Sequence, residues 1–210
     1  GASWAGGGIL SPLLPWEYPA PVVELTLHGA AMYEPWTEEL HAECGIGSEY
    51  FRSGMRVMKP FDAPLATAWA TATKVRIELD VCSSDAGTQL YLPDVAQVRN
   101  PRLLAALVAS ARARGVQVIE HTLVQSLVCE RGVIRGVRSE KGDIPAGAVV
   151  IAAGAWTPTL VPTCELSLKP IRGQMLLFGP TPPIPETILY CNGVYVIPPR
   201  DGQALVGSTR

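Results

Sequence analysis

Ala146-Gly147-Ala148-Val149-Val150-Ile151-Ala152-Ala153-Gly154-Ala155-Trp156 is an unbroken apolar run that shrinks to small residues around a glycine. Val149, Val150 and Ile151 are β-branched and show no polar alternation, the pattern of a parallel strand covered on both faces. In open α/β sheets ligands bind beyond the carboxyl ends of the strands, and residues with almost no side chain there let a bulky group approach the backbone. The run therefore predicts a buried strand with a ligand at its end. An ordinary buried strand closed by a glycine turn fits the same residues.

Upstream of the run lies the clearest local unit. Asn100 is placed to cap a helix, Pro101 suits its first turn, and Leu103, Leu104, Leu107, Val108 and Ala111 fall on one face. Gly115 ends that helix, Val116-Gln117-Val118-Ile119 reads as a strand, and two short strands flank Arg131-Gly132. Downstream the chain returns to strands at residues 169–178, 187–190, 194–197 and 204–206, with Arg200-Asp201-Gly202 as a hairpin turn between the last two.

At the start, Gly6-Gly7-Gly8-Ile9 puts three glycines before an apolar residue, a loop that permits close backbone approach to a flat ligand and equally suits a plain flexible turn. Residues 22–42 predict a long amphipathic helix led in by Pro19 and Pro21, with Pro35 marking a kink near Trp36. Residues 49–98 mix short strand-like runs with a short helix at 65–72, an antiparallel layer folded apart from the rest.

Composition excludes several function classes. The 210 residues are 48% hydrophobic with a formal charge of −2 and no block of like charges, so no nucleic-acid footprint or membrane-surface patch is visible. Five cysteines are widely separated, without a C-x-x-C pair or a histidine at ligand spacing, so reduced thiols in a cytoplasmic protein are expected and no metal site. His28, His41 and His121 are read as structural or solvent-facing. No run approaches the ~20 apolar residues of a membrane span.

A helix, a strand, a small β excursion and a doubly buried strand together suggest a nucleotide-binding sheet interrupted by insertions. No G-x-G-x-x-G opens a helix anywhere in the chain, so the pyrophosphate-binding turn of such a sheet is expected before Gly1 or not at all. The start at Gly1 without methionine and the abrupt end after Ala204-Leu205-Val206-Gly207 read as an internal piece of a longer chain.

The ordered set formed by residues 92–104, 149–156, Pro170-Ile171-Arg172-Gly173-Gln174, Val194-Tyr195-Val196-Ile197-Pro198 and Val206-Gly207-Ser208-Thr209 resembles the D-amino-acid oxidase-type flavoproteins. Within that family it is most similar to the glycine oxidase branch linked to thiamine biosynthesis. The resemblance covers nearly the whole chain and departs from the family in lacking the N-terminal glycine-rich FAD turn and a C-terminal segment. It implies a mixed α/β, α+β fold: an incomplete Rossmann-like FAD-binding domain, residues 1–48 and 98–160, interleaved with an antiparallel-sheet substrate domain, residues 49–97 and 161–210.

The function implied is FAD-dependent oxidation of a small amino acid or amine, with dioxygen as the second substrate and with oligomeric state open. Sarcosine oxidase or D-amino-acid dehydrogenase chemistry on the same fold, and a flavin-free inactive scaffold, stay open as alternatives. By the resemblance, Gly7, Gly8 and Ile9 match the loop near the flavin ring, Val124 the residue beside the adenine, and Ala153 and Gly154 the second backbone contact. Tyr195 matches a tyrosine that helps bind the substrate carboxylate; as a bare sequence position it equally suits a cross-strand aromatic. Arg172 is a tempting carboxylate clamp that the family pattern makes structural, and Arg99 and Arg102 read as charges flanking the helix start. Without the pyrophosphate turn, these residues alone are expected to bind FAD weakly or not at all.

Overall fold

A computed structural model describes residues 1–58, 60–81, 87–161, 167–179, 185–198 and 202–208. The chain divides into two compact units, Gly1–Val116 with Gly173–Arg210, and Gln117–Arg172.

In the larger unit, α1 (Ala2–Ala5) leads through a 3-10 turn to α2 (Ala20–Cys44), then β1 (Phe51–Arg52), β2 (Met55–Met58), α3 (Ala63–Thr73), β3 (Glu78–Val81), β4 (Thr88–Leu92), β5 (Ala96–Gln97) and α4 (Asn100–Ala113). The long helix expected at 22–42 is there, extended by two residues at each end, and it continues through Pro35. It stops where Gly45 turns left-handed, φ 70°, and donates its N–H to the His41 carbonyl at 2.8 Å, a glycine C-cap. The short helix and the strands expected between 50 and 92 are also present; β3 carries no signal that the sequence reading caught.

α4 starts one residue earlier than expected. Arg99 takes the cap position without a side-chain cap, and Asn100 is the first helical residue. The Asn100 amide instead lies against the glycine loop, where a Cβ at Gly6 would stand 2.5 Å from its Nδ2. The buried face is Leu103, Ala106 and Ser110, the last two absent from the expected face. Ser110 is buried because its hydroxyl donates to Glu43 of α2 at 2.5 Å, while Leu40, Val98 and Leu103 form the apolar contact.

The smaller unit holds β6 (Val124–Glu130), β7 (Val133–Ser139) and β8 (Gly142–Pro145), a three-stranded antiparallel meander, followed by a 3-10 turn (Gly154–Trp156) and α5 (Thr157–Leu160). The turn at Arg131 and Gly132 has φ of 52° and 79°, the left-handed pair that tight hairpins favour. A third strand thus joins the two expected there.

Two strand expectations fail. Residues 149–151 and 116–119 form no strand, and Val150 is 91% exposed. Apolar β-branched residues favour extended backbone, but a strand exists only where a neighbour completes its hydrogen-bond ladder, and neither segment pairs with another among the described residues. The reading of 149–151 as a strand covered on both faces is therefore wrong for this structure. The strand expected over 169–178 is likewise only its last four residues.

Back in the larger unit, β9 (Met175–Phe178), β10 (Ile188–Cys191), β11 (Val194–Ile197) and β12 (Ala204–Gly207) complete a seven-stranded sheet of order β3-β4-β2-β10-β11-β12-β9. Among the described residues only β2 and β10 run parallel, with Met55 opposite Ile188 and Val57 opposite Tyr190. That pair stitches two distant parts of the sequence into one sheet. Met55, Val57, Leu90, Leu92 and Ile188 are its most buried side chains, each contributing ~1.5–3 kcal/mol by burial. The expected hairpin between the last two strands forms, although Arg200 and Asp201 of its turn lie outside the described residues.

Candidate functional site

The glycine loop is held as an extra edge on the short β5 strand. Ile9 bridges Gln97, Val98 donates its N–H to the Gly8 carbonyl at 2.9 Å, and Leu10 donates to Ala96 at 2.9 Å. Gly8 has φ 80°, and a Cβ there would sit on the Val98 carbonyl oxygen, so both conformation and space demand glycine. At Gly7 only space does: a Cβ would stand 2.9 Å from Ile197, 3.2 Å from Tyr195 and 3.3 Å from Met175.

Those three neighbours come from the sheet. Tyr195 and Ile197 share one face of β11, Gly207 and Leu205 stand opposite them on β12, and Met175 and Leu177 stand opposite in turn on β9. Because side chains alternate with period two, the two cross-strand rows Tyr195-Gly207-Met175 and Ile197-Leu205-Leu177 lie on one face. Beside them opens a cavity of about 420 Å³, walled by Gly6 and Gly7, floored by Met175, Leu177, Ile197 and Leu205, and edged by Gln97 and Asn100.

Gln97 is the buried polar group of this site. Its Nε2 donates to the Pro198 carbonyl at 2.6 Å and its Oε1 accepts from Ser53 at 3.4 Å, which fixes the amide between β5 and the end of β11. Glu49 lines the cavity and pairs with Arg102 at 3.1 Å and Arg99 at 3.9 Å, so these arginines are structural charges at the helix start, as read.

A flat heteroaromatic group such as an isoalloxazine ring fits this lining. One wall is bare main chain, the floor is apolar, and the polar edges are few and already oriented, as in cofactor pockets of a few hundred Å³.

The structure thus packs Gly7, which lines the cavity, against Tyr195, while Gly8 and Ile9 are held on β5 and, like Tyr195, are outside the cavity lining. Val124, Ala153 and Gly154 belong to the other unit. Val124 begins β6, and Ala153 accepts the Trp156 N–H at 3.1 Å to close the 3-10 turn. Gly154 has φ 54° with open space where a Cβ would stand, so backbone conformation rather than close packing selects glycine there. Arg172 is exposed, outside any strand. Met175, Gly207 and Gln97 were not singled out from the sequence; only the register of β9 with β12, set at a distance along the chain, marks the first two.

The family model described as FAD dependent oxidoreductase (DAO) matches residues 1–210. Glycine oxidase of Pseudomonas putida is 36% identical over 221 residues, covering 99% of this chain and 60% of that protein. The bifunctional protein ThiO/ThiG of Synechocystis is 31% identical, covering 99% of this chain and 33% of that protein. The crystal structure of glycine oxidase from Geobacillus kaustophilus matches with a TM-score of 0.90 at 25% identity, covering 100% of this chain and 61% of that one. The chain therefore spans about 60% of the length of the glycine oxidases it matches.

Proposed function

The chain belongs to the FAD dependent oxidoreductase (DAO) family, and from that membership we propose that it serves a glycine-oxidase-like enzyme acting on a small amino acid or amine. When bound, FAD would supply the two-electron redox chemistry, taking up the hydride of the substrate α-carbon and reducing dioxygen to hydrogen peroxide, and for a primary amino acid the imine would hydrolyse to an oxo acid and ammonia.

The protein's own part is binding, orientation and exclusion of water. Gly6 and Gly7 offer a side-chain-free wall for the flat ring, and Gln97, locked by Pro198 and Ser53, presents a fixed polar edge beside it. Ile197, Leu205 and Leu177 keep the floor apolar. By the family resemblance the Tyr195 hydroxyl would donate to the substrate carboxylate, Val124 would lie beside the adenine, and Ala153 and Gly154 would give the second backbone contact. In this reading residues 1–48 and 98–160 make up the cofactor-binding domain, and 49–97 with 161–210 the substrate-binding domain, of a cytoplasmic protein.

The observation that carries the proposal is the packing of the Gly7 backbone against Tyr195, Met175 and Ile197, which puts the loop and the substrate-facing sheet side by side. The test is anaerobic addition of glycine, sarcosine and D-alanine to the FAD-loaded whole enzyme that this chain is proposed to serve. Bleaching of the flavin by at least one of them is expected. No bleaching by any would sink the substrate class, and one peroxide per amine on admitting air distinguishes an oxidase from a dehydrogenase.

A further inference from the structure

The surroundings of the Tyr195 phenol form one row across three strands. Tyr195 on β11 stands opposite Gly207 on β12, and Gly207 opposite Met175 on β9. With no side chain in the middle position the phenol lies over the sheet. A Cβ at Gly207 would stand 2.9 Å from the Tyr195 hydroxyl, 3.0 Å from Cζ and 3.1 Å from the Met175 methyl. Across the gap the hydroxyl donates to Met175 Sδ at 3.8 Å. Neither Gly207 nor Gly7 has positive φ, so space alone calls for glycine at both. The space that both leave is filled by the same two side chains.

We propose that this row is a positioning device for the substrate carboxylate, an inference that rests on the reading of Tyr195 given above. Gly207 supplies the slot that lays the phenol across β12, and Met175 holds its hydroxyl until a carboxylate arrives. A thioether is a weak acceptor, whereas a carboxylate oxygen takes a charge-assisted bond about twice as strong as a neutral one. Exchange of sulfur for carboxylate is therefore downhill, and the ring need not move, because Gly7 and Gly207 bound it on two sides. Met175 and Gly207 are positioning residues in this scheme, acting only through Tyr195.

The two variants that test it have effects of different kinds. Gly207→Ala pushes a methyl into the hydroxyl's place, and a displacement near 1 Å is expected to weaken carboxylate binding by about tenfold to a hundredfold. Met175→Leu keeps the volume but removes the competing acceptor, so carboxylate affinity stays equal or rises by up to about threefold.

The measurement is the ζ-13C tyrosine resonance of Tyr195, assigned by its loss in Tyr195→Phe and titrated with acetate in the FAD-loaded whole enzyme that this chain is proposed to serve. KM and kcat for glycine are measured alongside. The expected result is a free-state resonance displaced in both variants, acetate affinity lowered only in Gly207→Ala, and a KM for glycine raised there with kcat within about threefold. If Tyr195→Phe weakens acetate binding but Gly207→Ala does not, the inference is overturned and the role of Tyr195 stands. If Tyr195→Phe leaves acetate binding unchanged, both fall. Should Gly207→Ala fail to fold, Met175→Leu decides: an unmoved free-state resonance overturns the inference, and a displaced one with undiminished acetate affinity supports it.

Discussion

Val57 sits in Met55-Arg56-Val57-Met58, a run broken by an arginine, and Val150 in an unbroken apolar one, yet the first is fully buried in β2 and the second is 91% exposed. β2 has β4 on one side and β10 on the other, so both edges of its backbone are hydrogen-bonded and its side chains meet a core. Residues 149–151 have no strand on either side among the described residues. The difference teaches that hydrophobic pattern sets where a strand is favoured, while pairing decides whether one exists.

Hydrogen exchange gives the sharpest break between the two regions. Amides of β2 exchange only through large-scale opening, whereas those of 149–151 are expected to exchange at least ~10³-fold faster, the spread typical between a core strand and unpaired backbone. Equal protection at 149–151 would mean that the segment is paired in solution and would undo the contrast.

Truncation of core and exposed side chains comes next in size. Met55→Ala empties a site with no solvent exposure and is expected to cost ~2–5 kcal/mol in urea unfolding, while Val150→Ala stays within ~0.5 kcal/mol. A large loss at Val150 would show a buried role that its exposure denies.

Gly154 sharpens the comparison within the smaller unit. A Cβ meets nothing there, so Gly154→Ala is expected to cost only the ~1–2 kcal/mol of left-handed backbone for an L-residue. At Gly8 the same change also drives a methyl onto the Val98 carbonyl, and thermal melts should rank it well below Gly154→Ala. An inverted order would place unseen packing at 154.

The smallest effect is electrostatic. The Arg138 guanidinium grips both Asp143 oxygens at 2.8 Å and holds that carboxyl below its ordinary range. In the other unit Arg114 and Ser110 do the same for Glu43. A carboxylate with a depressed folded-state pKa adds stability above its unfolded pKa, and that stability is lost as pH falls through the folded value. Asp143→Asn should therefore lower the melting temperature slightly at pH 7, with the gap to the parent protein closing on acidification below the usual carboxylate range. Both pairs are exposed, so the gap stays small and shrinks with salt.

How much could be read beforehand follows from the range of each interaction. The glycine loop was legible from its own residues and a role for Tyr195 was proposed from a family resemblance, but the row through Gly207 to Met175 was not legible. Those residues are ordinary one at a time, and only the register of β11, β12 and β9 makes them neighbours.

The sequence by itself determined α2, α3 and α4 and the hairpins at Arg131 and between β11 and β12, because signals such as Pro19, Pro101 and Gly132 act on hydrogen bonds a few residues away. Tertiary structure alone decided that Asn100 would turn to the glycine loop instead of capping its helix. It alone joined β2 to β10 in parallel, and it left the run at 149–151 without a pairing strand among the described residues. A strand's hydrogen bonds belong to whichever segment lies beside it, and that neighbour is chosen by the packing of the whole chain rather than by the residues of the strand.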